Sequence, residues 1–238
     1  MDIQKLESKI KNKVKNANVN GVVLGLSGGL DSTVSLFLCV KALGPNKVLG
    51  LFMPEKKEDI DDDIVNVVNN FGIDYKTIGI NSIINAFEEN LGDADKNTTG
   101  NLKARIRMSI LYYCANRDNL LVVGTSNKSE IMQGYFTLHG DGASDIKPLK
   151  GLYKTEVFDL AKNLGLPESI IKKKPTAGLW PGQTDEKDLG ISYKNLDKIL
   201  PIVSKDVNTI KKQTGISEDK IKKVKKRFEN TRFKREKI

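Results

Sequence analysis

The sequence predicts an α/β protein, built on one mostly parallel sheet with helices on both faces and a helical C-terminal segment. Three observations carry that prediction. Short apolar runs, including Val22-Val23-Leu24 and Leu120-Leu121-Val122-Val123, alternate with segments of helical period. A glycine-rich junction, Gly25-Leu26-Ser27-Gly28-Gly29-Leu30-Asp31-Ser32, joins the first such run to the helical segment after it. The last third of the chain carries helical periodicity and no further strand signal.

Taken in order, Ile3, Leu6, Ile10 and Val14 space an amphipathic helix over 2–18 that leads into a strand over 21–26. The helix after the glycine junction runs through Ala42 and ends at the turn Gly44-Pro45-Asn46. A second buried-type strand over 48–53 is stopped by Pro54. The polar stretch Glu55-Lys56-Lys57-Glu58 then leaves its C-terminal end, as a lid over a ligand or as a plain solvated connection. Ile60, Ile64, Val67, Val68 and Phe71 mark the next helix, with Gly72 as its stop. A third strand over 75–80, a helix over 81–90 and a polar loop over 92–100 follow. Leu102, Ile106, Ile110 and Tyr113 give a long helix ending near Asn116, and 120–124 is the fourth strand. Farther on, Leu196, Ile199 and Leu200 end one helix before Pro201. Ser217 is placed to cap a last helix with Ile221, Val224 and Phe228 on one face.

The stretch from 25 to 32 carries the chemistry. A strand, a tight glycine turn and a helix N-terminus aim backbone N–H groups and the positive end of a helix dipole at one place, where an anion is stabilised. Ser27, Ser32 and Thr33 add hydroxyls. Asp31 adds a carboxylate, which fits an anion site only when a divalent cation bridges the two. No Lys follows the glycines, so this is not a Walker A loop, and G-x-G-x-x-G is missing as well. The plain alternative is a capped Gly-rich turn. After the fourth strand, Gly124-Thr125-Ser126-Asn127-Lys128-Ser129-Glu130 leaves the same edge of the sheet. Thr125 is placed to meet a nucleotide and Glu130 to share a metal with Asp31; an ordinary first-turn acid is the alternative for Glu130.

Composition narrows the field. At 238 residues the chain can bury a full α/β core, and a single domain over 1–238 is expected. No apolar run approaches the roughly 20 residues of a membrane span, so no membrane partner is expected. Cys39 and Cys114 lie in segments read as buried helix and form no C-x-x-C, which suits a reducing cytoplasm. His139 is the sole histidine, which rules out a histidine-rich metal site. Of the net charge of +9, an excess of eight falls after Val203, with 13 Lys/Arg against 5 Asp/Glu. Nucleic-acid binding, a solvated helix face and a clamp for an acidic substrate all fit that tail. Trp180 and the Pro/Gly-rich stretch 175–184 read as a flap that closes over a water-sensitive intermediate, or as a long surface loop with one anchoring aromatic.

The glycine junction resembles the SGGxDS loop of PP-loop ATP pyrophosphatases, which cleave ATP between its α- and β-phosphates. Over 97–200 the chain is similar to the NAD synthetase family. The matching segments are 101–108 (Asn101-Leu102-Lys103-Ala104-Arg105-Ile106-Arg107-Met108), the stretch 124–130, Gly134-Tyr135-Phe136-Thr137, Gly140-Asp141, Asp145-Ile146-Lys147-Pro148-Leu149, Leu152-Tyr153-Lys154-Thr155 and the stretch 177–186. The resemblance implies a Rossmann-like sheet of the adenine nucleotide alpha hydrolase type. It implies amidation of nicotinic acid adenine dinucleotide (deamido-NAD), with ATP as co-substrate and Mg²⁺ as cofactor. It further implies an ATP site of Gly25, Leu26, Ser27, Gly28, Gly29, Leu30, Asp31, Ser32, Thr125, Lys154 and Thr176. Asp31 and Glu130 would hold the metal, and Ser27, Asp31, Asp145 and Lys154 would form the catalytic set. Arg105, Leu138, Asp145, Phe233 and Lys234 would meet the dinucleotide; Leu138 and Phe233 stand where the family has a Lys and a His. With no glutaminase segment in the sequence, ammonia is expected from solution or from a separate glutaminase. A homodimer is expected, and nucleic acid is not. A GMP synthetase-like ATPase subunit and a tRNA-modifying PP-loop protein are the competing readings.

Overall fold

A computed structural model of the chain describes residues 2–56, 59–60 and 62–236; Lys57 and Glu58 of the polar loop lie outside them. Helix α1 (Ile3–Ala17) starts where the Asp2 carboxylate accepts from the Lys5 N–H at 3.0 Å and ends at Asn18 in a left-handed conformation. Strand β1 (Gly21–Gly25) and helix α2 (Leu30–Leu43) follow, then β2 (Val48–Phe52), α3 (Asp62–Asn70), β3 (Asp74–Thr77), α4 (Asn81–Leu91), α5 (Lys96–Asp118) and β4 (Leu120–Val123). The four strands are parallel, in the order β3-β2-β1-β4. β1 is central and buried along most of its length, because successive residues serve opposite faces. Val22 and Leu24 pack toward α1 and α2, whereas Val23 packs toward α4 and α5. Each such buried side chain contributes roughly 1.5–3 kcal/mol.

After β4 the chain is helical: α6 (Lys128–Gln133), α7 (Lys154–Asn163), α8 (Glu168–Ile171), α9 (Asp185–Leu189), α10 (Tyr193–Ile199), α11 (Val207–Thr214), α12 (Glu218–Asn230) and α13 (Arg232–Arg235). Helices α9 to α12 build their own apolar cluster around Leu196, Ile199, Ile210, Ile221 and Val224, and Met132, Tyr135 and Tyr153 dock on it.

Several expected boundaries move, each for a local reason. The stretch 92–100 was expected as a loop, but α5 begins at Lys96 because the Asp95 carboxylate caps the Asn97 and Thr98 N–H groups at 2.7 and 3.2 Å. β3 stops at Thr77, and Ile78 and Ile80 instead donate to the Phe52 and Pro54 carbonyls at β2's exit. Ile60 precedes α3 rather than joining it. Ser217 sits at the start of α12 without a side-chain capping bond, and α12 is followed by α13 rather than being last.

With β1 feeding β2 on one side and β4 lying on the other, the strand order reverses between β1 and β4. In open parallel sheets the crevice at the carboxyl ends of such strands is where ligands bind.

Candidate active site

A cleft of about 1500 Å³ opens at that crevice. Its floor is the 25–32 loop. Gly28 takes φ 72°, a left-handed conformation that a side chain disfavours, and this turns the chain into α2. The Gly29 carbonyl accepts from the Ser32 and Thr33 hydroxyls, both at 2.9 Å, while the Ser27 and Ser32 hydroxyls lie 3.0 Å apart. All eight loop residues line the cleft, as do Thr125 and Thr176.

Asp31, in the first turn of α2, meets two groups from across the crevice. Its Oδ1 accepts from Asn127 Nδ2 at 3.1 Å, and its Oδ2 pairs with Lys154 Nζ. Asn127, fully buried, also caps α6: its Oδ1 accepts from the Glu130 N–H at 3.0 Å, while Glu130 Oε2 accepts from the Asn127 N–H at 3.3 Å. One residue thereby meets both expected metal carboxylates, Asp31 through its side-chain amide and Glu130 through its backbone N–H. It was not singled out in the sequence, although Asn-x-x-Glu ahead of an apolar segment has the form of a capping box.

Lys154 is 2 % exposed. Burial alone would lower its pKa; the charges of Asp31, Glu130 and Asp185 outweigh that and hold it above the usual lysine value. Burial first, and then the neighbouring charge of Asp31, pushes the Glu130 carboxyl well above the ordinary range, with Lys154 pulling the other way. Asp185 is also raised, again chiefly by burial. Its Oδ2 accepts from the Tyr193 hydroxyl at 2.9 Å, while its buried Oδ1 has no hydrogen-bond partner. Three acids thus face one ammonium. The surplus of hard oxygen donors, one of them orphaned, suits a divalent cation of the Mg²⁺ type. Among the described residues no ready-made group of three or more metal-binding side chains occurs, so phosphate and water oxygens would complete the shell around Asp31 and Glu130.

The flap over 175–184 leans on α5. Its neck is closed by the Asp185 N–H donating to the Pro175 carbonyl at 3.0 Å. Lys103 Nζ donates to the Leu179 carbonyl at 3.2 Å and pairs with Glu55 at 2.7 Å, so one lysine ties the flap to the loop after β2. Lys96 Nζ lies 5.4 Å from the Trp180 ring centroid. Gln183 accepts from the Leu179 N–H at 2.8 Å and donates to Asp188 at 2.9 Å.

The expected dinucleotide contacts divide. Lys234 lines the cleft, but its Nζ donates to the Gly134 and Phe136 carbonyls at 3.0 and 2.6 Å. Arg105, Leu138, Asp145 and Phe233 are not among the residues lining it. Arg105 Nη2 donates to the Leu138 carbonyl at 3.4 Å, and Phe233 is exposed. The Asp145 carboxylate accepts from the Val122 N–H at 2.8 Å and the Tyr112 hydroxyl at 3.2 Å, which places it beside β4 rather than with Ser27, Asp31 and Lys154.

A family model described as NAD synthase matches residues 2–238. The chain is 49 % identical over 221 residues to an NH(3)-dependent NAD(+) synthetase of Methanosarcina mazei, covering 90 % of this chain and 86 % of that one. Among solved structures, an NMN synthetase from Francisella tularensis superposes with a TM-score of 0.84 at 34 % identity, over 99 % of this chain and 96 % of that one. An NH3-dependent NAD synthetase from Campylobacter jejuni, solved with a nitrate ion, gives a TM-score of 0.81 at 38 % identity over 98 % and 96 %.

Proposed function

The chain belongs to the NAD synthase family, and from that premise we propose that it is an ammonia-dependent ligase converting deamido-NAD to NAD at the cost of ATP. The reading is supported by one observation above the rest: Asp31, Glu130 and Lys154, from three separate segments, converge at the crevice between β1 and β4. The family match and the curated relatives do not favour the GMP synthetase-like and tRNA-modifying readings.

The nicotinate carboxylate attacks the α-phosphorus of ATP, forming an oxygen–phosphorus bond as the bond to the β-phosphate oxygen breaks and pyrophosphate leaves. Ammonia then attacks the acyl carbon, a proton is shed from nitrogen to water, and the single bond from that carbon to the bridging phosphate oxygen breaks, its electron pair leaving with AMP. The chain supplies no nucleophile; it orients and neutralises. The 25–32 loop cradles the phosphates with its N–H groups and the hydroxyls of Ser27 and Ser32. Lys154 offers a point charge to a phosphate oxygen. Thr125 and Thr176 border the nucleotide. Asp31 and Glu130 hold Mg²⁺, which when bound neutralises charge on the departing pyrophosphate. The 175–184 flap excludes water from the acyl-adenylate. Arg105, Leu138, Asp145, Phe233 and Lys234 are the proposed dinucleotide contacts, which requires the substrate to extend beyond the cleft that Lys234 alone of the five lines. The protein works in the cytoplasm as a single-domain homodimer. The dimer reading is supported by the exposed apolar side chains Phe87, Leu91 and Tyr113 of α4 and α5.

Mass detection of NAD from deamido-NAD, ATP, Mg²⁺ and an ammonium salt tests the reading. Nicotinic acid mononucleotide is the parallel acceptor, given the likeness to the Francisella NMN synthetase. Amide formed faster from the dinucleotide supports the proposal; amide from the mononucleotide alone overturns the choice of substrate.

A further inference from the structure

Two of the charged groups in the crevice stand on short elements that do not share a strand. Glu130 is in the first turn of the six-residue α6, and Lys154 is the first residue of α7. Twenty-odd residues of turns separate them, and the backbone tie between the two is the Lys128 N–H donating to the Leu152 carbonyl at 2.7 Å. A third element joins them. Asp197, on α10 of the helical lobe, accepts from the Ser129 hydroxyl at 2.5 Å through Oδ1 and from the Thr155 N–H at 2.9 Å through Oδ2. Ser129 Oγ in turn accepts from the Lys154 N–H at 2.9 Å, and Ser129 is fully buried. A single carboxylate therefore closes a ring through the residue before Glu130, through Lys154 and through the residue after it. A negative group at two helix N-termini is also favoured by both dipoles.

We propose that Asp197 is a positioning residue for the ATP half of the reaction: it sets the separation between the Glu130 carboxylate and the Lys154 ammonium by bridging the starts of α6 and α7, without touching substrate. The proposal rests on the activity assigned above. Its physical basis is that a divalent cation and a phosphate oxygen would have to be met together by two groups that stand on separate helix starts. Displacement of either by about 1 Å is enough to lower the rate on the order of a hundredfold.

The test compares Asp197→Ala, Asp197→Asn and Ser129→Ala with Asp206→Ala. Asp206 caps α11 in the same lobe through the Thr209 N–H at 2.9 Å, and its carboxylate bonds to Thr209 rather than to any member of this ring, so its loss should destabilise the lobe and leave the bridge in place. In Asp197→Ala and Ser129→Ala, KM for Mg·ATP should rise about tenfold and kcat fall about tenfold, with KM for the dinucleotide within about twofold of wild type. Asp197→Asn can still accept from Thr155 and donate to the Ser129 oxygen, so it should stay within about threefold of wild type. Asp206→Ala should keep wild-type kinetics while lowering the melting temperature. An Asp197→Ala enzyme with unchanged KM for Mg·ATP, an Asn variant as defective as Ala, or an equal kinetic loss in Asp206→Ala would each overturn the proposal. If wild type forms no amide from either acceptor, the assigned activity fails instead. Calorimetric titration with Mg·ATP then decides the bridge: about tenfold weaker binding by Asp197→Ala supports it, and equal binding refutes it.

Discussion

The charge balance at Lys154 makes that side chain the most exacting in the cleft. Its ammonium is buried and faced by three acids, so removing it costs both structure and function. Lys154→Ala should lower kcat/KM by roughly 10²–10³, the range for losing one preorganised group on developing charge. It should also destabilise the metal-free protein by about 3–5 kcal/mol, as expected when one partner of a buried pair is lost. Added Mg²⁺ should narrow that deficit in thermal melts; a deficit indifferent to Mg²⁺ would count against shared neutralisation. Glu130 gives a pH signature. Its folded pKa is raised above the ordinary 4.5, chiefly by burial and secondly by Asp31. The folded state therefore holds a proton that the unfolded state gives up, and stability falls as pH rises through 4.5 toward the folded value. Glu130→Gln removes that component. The difference in melting temperature between Gln variant and wild type, measured without metal, should grow in the variant's favour as pH rises through that window.

The 175–184 flap is held by small contacts, Trp180 against Lys96, the Leu179 carbonyl against Lys103 and Gln183 against Asp188. Trp180→Ala should let water reach the activated acyl group. Product assays would then show AMP in excess of NAD, whereas wild type forms them in equal amounts; equal amounts in the variant would exclude a shielding role. The sheet elements were legible in the sequence because apolar runs and glycine turns are local signals. β1, β2 and α2 fall within a residue or so of expectation. The start of α5 was not, because one cap at Asp95 outweighs a polar, glycine-containing stretch. Within the site, Asp31 and Glu130 were legible from loop chemistry at strand ends. Asn127 and Asp197 were not, since each reaches across to a partner far along the chain, Asp31 and Thr155 respectively, although the Asn-x-x-Glu spacing after β4 marks Asn127 as a helix cap. Arg105 and Asp145 were named by family likeness, which says nothing of which wall they face.

At the scale of the molecule, the basic C-terminal segment divides: most of its lysines are exposed, while a few of its cations are committed to the fold. Lys225 donates to the Val203 and Lys205 carbonyls, Arg227 to those of Gln133 and Asp188, and Arg235 to those of Met132 and Phe228. These cations satisfy carbonyls within the helical lobe and on the neighbouring α6, a use that net charge does not reveal. The outer side of α4 and α5 differs: Leu91 is 79 % and Tyr113 68 % exposed. A Leu91→Lys/Tyr113→Lys double variant should elute and scatter light as a monomer where wild type runs as a dimer; equal masses would place the contact elsewhere. The cleft draws its walls from both bodies, with Ser27 and Asp31 from the sheet and Asp185, Asp188 and Arg227 from the helices. A nucleotide seated there would act as mortar between the sheet and the helices. Amide deuterium uptake in α10 and α12 should therefore slow when Mg·ATP is present, together with uptake in the 25–32 loop. Slowing in the loop alone would mean that the helices do not sense the occupant.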